Sequence, residues 1–254
     1  MRFERNLVAF LALVSWGLPL RAAEHVTVAA AANLVYVLEP LNAAFAKVMP
    51  ESEVRCEVGA SGSLVAQIEN GAPYDVFLSA DTDYPRKLVK AGAAEAESVE
   101  VFARGRLVLW TLRPALDLSG VGAAVSSAAV KKLAIANPET APYGRAAKEA
   151  LEHLGLTALT APKLVFGENI SQAAQYVSSG NADAGFVALS LVLSPKLKDK
   201  GRWIEVPSAL YAPILQAAVL TKQGGPNAAA RKYLEFLSGA EAQGILARYG
   251  YGAP

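Results

Sequence analysis

Short apolar runs alternate along the chain with longer segments in which apolar residues recur every three or four positions. Val26-Thr27-Val28-Ala29-Ala30 reads as a strand. After Ala31-Ala32-Asn33, the residues Leu34, Val37, Leu38, Leu41, Phe45 and Val48 fall at helical spacing. Asn33 is thus placed near a helix N-terminus, where its side chain can cap. Val54-Arg55-Cys56-Glu57-Val58 alternates strictly, so Val54, Cys56 and Val58 share one face of a strand, and Cys56 reads as a small buried hydrophobe. Gly59-Ala60-Ser61-Gly62-Ser63 opens a second helix that carries Leu64, Val65 and Ile68 and closes at Asn70-Gly71. Residues 75–80 form a buried strand, and a helix with Leu88 and Val89 follows. Two extended segments, Val101-Phe102 and residues 107–110, flank Arg104-Gly105-Arg106, where the chain crosses between lobes.

The same rhythm returns beyond that crossover. Residues 133–136 form a strand that leads through Asn137-Pro138 and Ala141-Pro142-Tyr143-Gly144 into a helix with Ala147, Ala150, Leu151 and Leu154. Leu164-Val165-Phe166 leads through Gly167-Glu168-Asn169 into a helix over 170–177, and residues 185–189 form the next strand. Residues 215–220 are extended and are followed by a helix over 228–237 with Tyr233, Leu234 and Leu237 inward; Gly239 and Gly244 bracket the last helical piece. Alternation of β and α elements of this length implies parallel sheets. In such sheets a ligand site lies beyond the C-terminal ends of the strands.

The first 23 residues differ in kind. Arg2, Glu4 and Arg5 precede the apolar run 7–20, which ends at Arg21-Ala22-Ala23. The run is shorter than the roughly 20 apolar residues of a membrane span and is interrupted by Ser15, Gly17 and Pro19, so it reads as an export signal cleaved near residue 23. The whole chain has 24 basic and 23 acidic residues; without the signal, 21 and 22 remain, a formal charge of −1. This balance argues against a nucleic-acid partner. With 1 Cys there is no internal disulfide, and the 2 His, at 25 and 153, offer no metal-ligand spacing.

Four strand-to-helix turns remain as candidates for chemistry: 31–33, 59–63, 141–144 and 167–170. They hold small residues, neutral hydrogen-bonding side chains and backbone N–H groups that a helix start leaves unpaired. Several such turns brought together bind an anion without Lys or Arg. An enzyme reading is poorer. Gly59-Ala60-Ser61-Gly62-Ser63 has Ser63 where the nucleophile elbow has Gly, and His153 reads as a partner for a helix C-terminus. The run at Gly120-Val121-Gly122 lacks the third glycine of a dinucleotide loop.

At these turns the sequence resembles the periplasmic molybdate-binding proteins of bacterial ABC importers, within the type II solute-binding family. The resemblance spans the chain after the signal: Ala30-Ala31-Ala32-Asn33-Leu34, Gly59-Ala60-Ser61-Gly62-Ser63-Leu64, residues 71–81, Asn137-Pro138 with residues 141–144, residues 167–173, residues 182–187 and the closing Arg248-Tyr249-Gly250-Tyr251. It implies an α/β fold of two lobes, each a mainly parallel sheet flanked by helices, joined by two hinge crossovers. Residues 24–103 plus 216–254 would form one lobe and 104–215 the other.

The resemblance implies one tetrahedral oxyanion, molybdate or tungstate, held in the cleft and passed to an inner-membrane ABC permease by a periplasmic monomer. No cofactor is implied; the metal enters only as the oxyanion. The implied contacts are Asn33, through side-chain amide and backbone N–H, Ser61 through hydroxyl and N–H, and Tyr143 and Ile170 through backbone N–H, so that the last two side chains would be weakly constrained. A fifth contact, a Tyr hydroxyl in some members, falls on Ala188; the Ala32 backbone is one replacement. Arg145 reads as a solvated helix residue. The alternatives are a sulfate or other tetrahedral oxyanion receptor and, remotely, a secreted serine hydrolase built on Ser61.

Overall fold

The computed structural model describes residues 24–254; the export signal expected over 1–23 lies outside the described residues. The chain begins with β1 (Glu24–Ala31), a single 3-10 turn (Ala32–Leu34), α1 (Leu38–Val48), β2 (Ser52–Gly59), α2 (Ser61–Glu69), β3 (Val76–Ser79), α3 (Asp83–Lys90) and β4 (Glu100–Gly105). It then crosses to β5 (Leu107–Thr111), α4 (Val121–Ser126), β6 (Leu133–Ala136), α5 (Pro142–His153), α6 (Thr157–Thr160), β7 (Leu164–Gly167), α7 (Ile170–Ser178), β8 (Ala184–Ala188), α8 (Leu189–Val192) and β9 (Arg202–Glu205). It returns through β10 (Ile214–Leu220), α9 (Ala228–Leu237) and α10 (Ala240–Arg248).

Two five-stranded sheets result, ordered β2-β1-β3-β10-β4 and β7-β6-β8-β5-β9. In each, one strand is reversed. β10 runs antiparallel to β3 and β4, and β5 antiparallel to β8 and β9, whereas β1–β2, β1–β3, β6–β7 and β6–β8 are parallel pairs. The reversed strands are the two that enter a sheet directly from a crossover. They make the sheets mixed where the β/α alternation alone implies parallel ones.

Helices cover both faces of the first sheet, so its central strands are apolar on both sides. The two-residue period of β1 sorts its side chains: Val26, Val28 and Ala30 join the core beneath α1, α9 and α10, and Ala29 joins the one beneath α2 and α3. In the first core Phe45, Tyr233 and Phe236 interlock, with Phe45 edge-on to Tyr233 at 5.0 Å between ring centroids. The second lobe closes around one larger core that includes Trp110, Tyr143 and Phe186.

The expected crossovers at 103/104 and 215/216 cut into strands of the first sheet, because β4 pairs with β10 from Glu100 to Gly105 and β10 starts at Ile214. Asn33 sits inside the 3-10 turn and α1 starts later, at Leu38, so its side chain caps no helix. Val48 is 53% exposed at the end of α1, and Gly244 lies within α10. Cys56 is half-buried as β2 alternates; Asn42 Nδ2 donates to its Sγ at 3.4 Å, and burial pushes the thiol pKa up.

Candidate functional site

In both sheets the chain order reverses about one strand, β1 in the first and β6 in the second. A ligand crevice is expected beyond the carboxyl ends of the strands at such a reversal. The two crevices face each other. The turns after β1, β2, β6 and β7 all line one small cavity of about 10 Å³ between the lobes, formed by Ala31, Ala32, Asn33, Gly59, Ala60, Ser61, Ala80, Ala141, Pro142, Tyr143, Asn169 and Ile170. All four expected contact residues are brought together here. Among these lining residues there is no Asp, Glu, Lys, Arg or His. Glu168, the acid of the fourth turn, is exposed outside the cavity.

Each turn is built to leave donors free. The residues ahead of the 3-10 turn, α2 and α5 are Ala31, Ala60 and Ala141, and none makes a side-chain capping bond. First-turn N–H groups lack intrahelical acceptors, so uncapped ones there are open to a ligand. Helix α5 begins with Pro142, which has no N–H, so Tyr143 is the first residue of that helix able to donate. Helix α7 differs: Asn169 accepts from Gln172 N at 3.0 Å while Gln172 Oε1 accepts from Glu168 N at 2.6 Å, which locks the turn and leaves the Ile170 N–H outside the reciprocal pair.

Ser61 is 1% exposed, and its Oγ accepts from Ala80 N at 3.1 Å, which aligns the hydroxyl and leaves its proton to donate. His153 is the last residue of α5, with Nδ1 at 2.8 Å from the Leu210 carbonyl, and it does not line the cavity with Ser61.

Three expectations are corrected. The Asn33 amide nitrogen already donates to Gln216 Oε1 at 2.7 Å and Tyr251 Oη at 2.8 Å, so its side chain offers no spare donor in this arrangement. The Tyr143 and Ile170 side chains are not weakly constrained, because both are buried in the second core and Tyr143 is among the largest fully buried side chains. Burial also drives the Tyr143 hydroxyl pKa well above its ordinary value, keeping it neutral. Arg145 is not solvated: it is half-buried, paired with Asp81, 5.3 Å above the Tyr84 ring and 3.4 Å from the Tyr84 hydroxyl. Ala188 is buried in the second core at the end of β8, and Ala32 lines the cavity.

Arg145 belongs to a set of contacts that holds the lobes together at the cavity rim. Gly62 N donates to the Thr140 carbonyl at 2.9 Å and the Tyr84 hydroxyl to the Glu139 carbonyl at 3.2 Å. The approach excludes a side chain at Gly62, where a Cβ would lie 2.4 Å from Tyr84 Oη and 3.1 Å from Thr140 Cα. On the hinge side, Ser190 Oγ donates to the Asn33 carbonyl at 2.8 Å. None of Gln216, Tyr251, Ser190, Asp81 and Tyr84 emerges as part of the site from sequence reasoning; only Asp81 and the closing Tyr251 carry a signal there, as part of the resemblance.

Known binding proteins share much of this sequence and its two-lobed fold. Over 230 residues the chain is 43% identical to the molybdate-binding protein ModA of Azotobacter vinelandii, covering 91% of this chain and 90% of that protein. It is 44% identical over 243 residues to ModA of Rhodobacter capsulatus, covering 95% and 93%. The solved structure of the Azotobacter vinelandii periplasmic molybdate-binding protein superposes with a TM-score of 0.85 at 37% identity, covering 90% of this chain and 99% of that one. Residues 26–252 match the family described as bacterial extracellular solute-binding protein. With two lobes of matching topology closing on a cavity lined by strand-to-helix turns, the chain belongs to that bacterial extracellular solute-binding protein family.

Proposed function

We propose that the protein captures molybdate, and tungstate with it, between its lobes outside the cytoplasm and delivers it to an ABC permease. The observation that carries this reading is the convergence of four strand-to-helix turns, two from each lobe, on a cavity lined by neutral donors. Helix starts and an oriented serine hydroxyl satisfy an anion while adding no mobile charge. Molybdate is fully deprotonated at neutral pH and presents only acceptors, which suits a lining with no carboxylate; hydrogen phosphate carries a proton and favours an acceptor. Sulfate shares the charge and the four oxygens, so its exclusion rests on cavity size. Binding without catalysis fits a Ser61 hydroxyl held by a backbone N–H in a lining that contains no His.

Calorimetric titration with molybdate, tungstate, sulfate and phosphate tests the reading. Molybdate and tungstate are expected to bind tightly and sulfate and phosphate weakly; tight sulfate binding with none for molybdate overturns it in favour of a sulfate receptor. An unlabelled protein after fluorophosphonate treatment is expected, and labelling at Ser61 would revive the hydrolase alternative. Periplasmic residence rests on the export signal over 1–23; N-terminal sequencing of the exported protein is expected to start near residue 24. Among the described residues no helix is long and apolar enough to cross a membrane.

A further inference from the structure

Asn33 Oδ1 is the buried side-chain polar atom that has no hydrogen-bond partner among the described residues, and Asn33 lines the oxyanion cavity. Both amide hydrogens are directed into the protein, to Gln216 Oε1 at 2.7 Å and Tyr251 Oη at 2.8 Å. In this arrangement the side chain's free atom is an acceptor. A fully deprotonated oxyanion is acceptor-only as well, so the two are mismatched.

The same side-chain positions support a second arrangement, in which the oxygen and nitrogen of each amide exchange places. With both carboxamides turned over, Gln216 Nε2 and the Tyr251 hydroxyl donate to Asn33 Oδ1, and Asn33 Nδ2 is released to donate to the anion. The turnover sacrifices little. The Tyr251 hydroxyl leaves the Asn33 carbonyl, which it contacts at 2.9 Å, but Ser190 Oγ still donates to that carbonyl at 2.8 Å. Gln216 Nε2 gives up a marginal 3.5 Å contact with the Ile214 carbonyl, and the Gln216 amide oxygen takes its place there without a donor, so the unpaired acceptor moves from Asn33, which lines the cavity, to Gln216, which does not. In exchange the unpaired Oδ1 gains two donors, and buried polar atoms left unpaired are the costly ones.

We propose that Gln216, fully buried on β10, is a positioning residue that sets which end of the Asn33 carboxamide faces the oxyanion, and thereby favours a fully deprotonated anion over one that carries a proton. This rests on the oxyanion reading above and extends it to specificity. A protonated oxyanion would use Oδ1 as its acceptor in the first arrangement, where Gln216 Nε2 keeps only its marginal partner. A deprotonated one uses Nδ2 in the second, where Asn33 Oδ1 is fully bonded.

The test is a cycle of Gln216→Glu, Asn33→Ser and the double variant, titrated with molybdate at pH 8 and checked for folding by circular dichroism. An ionised carboxylate at position 216 only accepts, so it holds Asn33 Nδ2 away from the anion, and affinity is expected to fall about a hundredfold. A hydroxyl at position 33 both donates and accepts, so in the Asn33→Ser background the same change is expected to cost less than about tenfold. Equal penalties in the two backgrounds would mean charge repulsion alone and would overturn the proposal. Should Gln216→Glu fail to fold, Gln216→Met serves: the margin of molybdate over hydrogen phosphate is expected to narrow about fivefold or more, and an unchanged margin overturns the proposal. The unsubstituted chain separates the two readings. If it binds no molybdate, the oxyanion reading fails; if it binds and the penalties are equal, only the role of Gln216 fails.

Discussion

The pair formed by Asp81 and Arg145 bridges the lobes at the cavity rim, and its removal gives a quantitative prediction about release. Asp81→Asn is a mild perturbation. The amide keeps Oδ1 as acceptor for the Ser79 hydroxyl at 3.1 Å and the Tyr84 N–H at 3.0 Å, so the loop into α3 is preserved while the charge is lost. Two unit charges about 4 Å apart at an effective dielectric of about 20 attract by about 4 kcal/mol. The side chains of Arg145 and Asp81 are 36% and 13% exposed, so part of that attraction offsets desolvation and part is screened by water. A net contribution of about 1–2 kcal/mol to closure remains, equivalent to about 5–30-fold in the balance between closed and open lobes. Release requires opening, so chase of radiolabelled molybdate with unlabelled anion is expected to run about 5–30-fold faster in Asp81→Asn and in Arg145→Gln, with the double variant no faster than either. Release rates within twofold of the unsubstituted chain, or additive single effects, would refute the reasoning.

Other substitutions probe the site and the scaffold separately. Ser61→Ala removes a hydroxyl donor to a buried dianion and strands the Ala80 N–H, so calorimetry is expected to show a loss of roughly 1.5–3 kcal/mol, about tenfold to a hundredfold in affinity. Gly144→Ala places a Cβ 2.3 Å from the Ala136 carbonyl oxygen. The start of α5 must therefore withdraw by about 1 Å, and both affinity and thermal stability are expected to fall, the latter by about 1–3 kcal/mol in a melting experiment. Asp183 tests pH dependence. Burial raises its carboxyl pKa, but hydrogen bonds from Arg113 and from the Lys132 and Lys131 N–H groups outweigh this and leave it below the ordinary aspartate value. A depressed folded-state pKa gives stability that is present above the unfolded value near 3.9 and is lost as pH falls through the folded one, so Asp183→Asn is expected to flatten the acid limb of the unfolding curve below about pH 4.

What the sequence discloses follows from range. Turns such as 59–63 and 141–144 are legible because a strand, a small-residue turn and a helical period are contiguous, and each states its own geometry. The partners of those turns are not contiguous. Asn33 meets Gln216 across 183 residues and Tyr251 across 218, and Arg145 meets Asp81 across 64, so no local pattern reports that these polar side chains are buried together. The same reason explains Tyr143. Its backbone role reads from the Pro142 start of α5, but the packing that fixes its ring comes from the second core. The edge strand β9 escaped because Arg202-Trp203-Ile204-Glu205 is short and mostly exposed, with no apolar alternation to announce it. The reversed strands β5 and β10 read as strands but not as reversed, since direction depends on where a crossover delivers the chain.

The repeated strand order gives the molecule an approximate twofold symmetry that its sequence conceals. Rotating one lobe onto the other carries the turns after β1 and β2 onto those after β6 and β7. A tetrahedron has twofold axes of its own, each exchanging two pairs of vertices. An ion seated on the pseudo-axis would meet one pair of turns from each half, with two of its oxygens directed to either side. Neither half by itself encloses such an ion, so the ion would act as the missing centre of a two-part object, and its departure would return two separate half-sites.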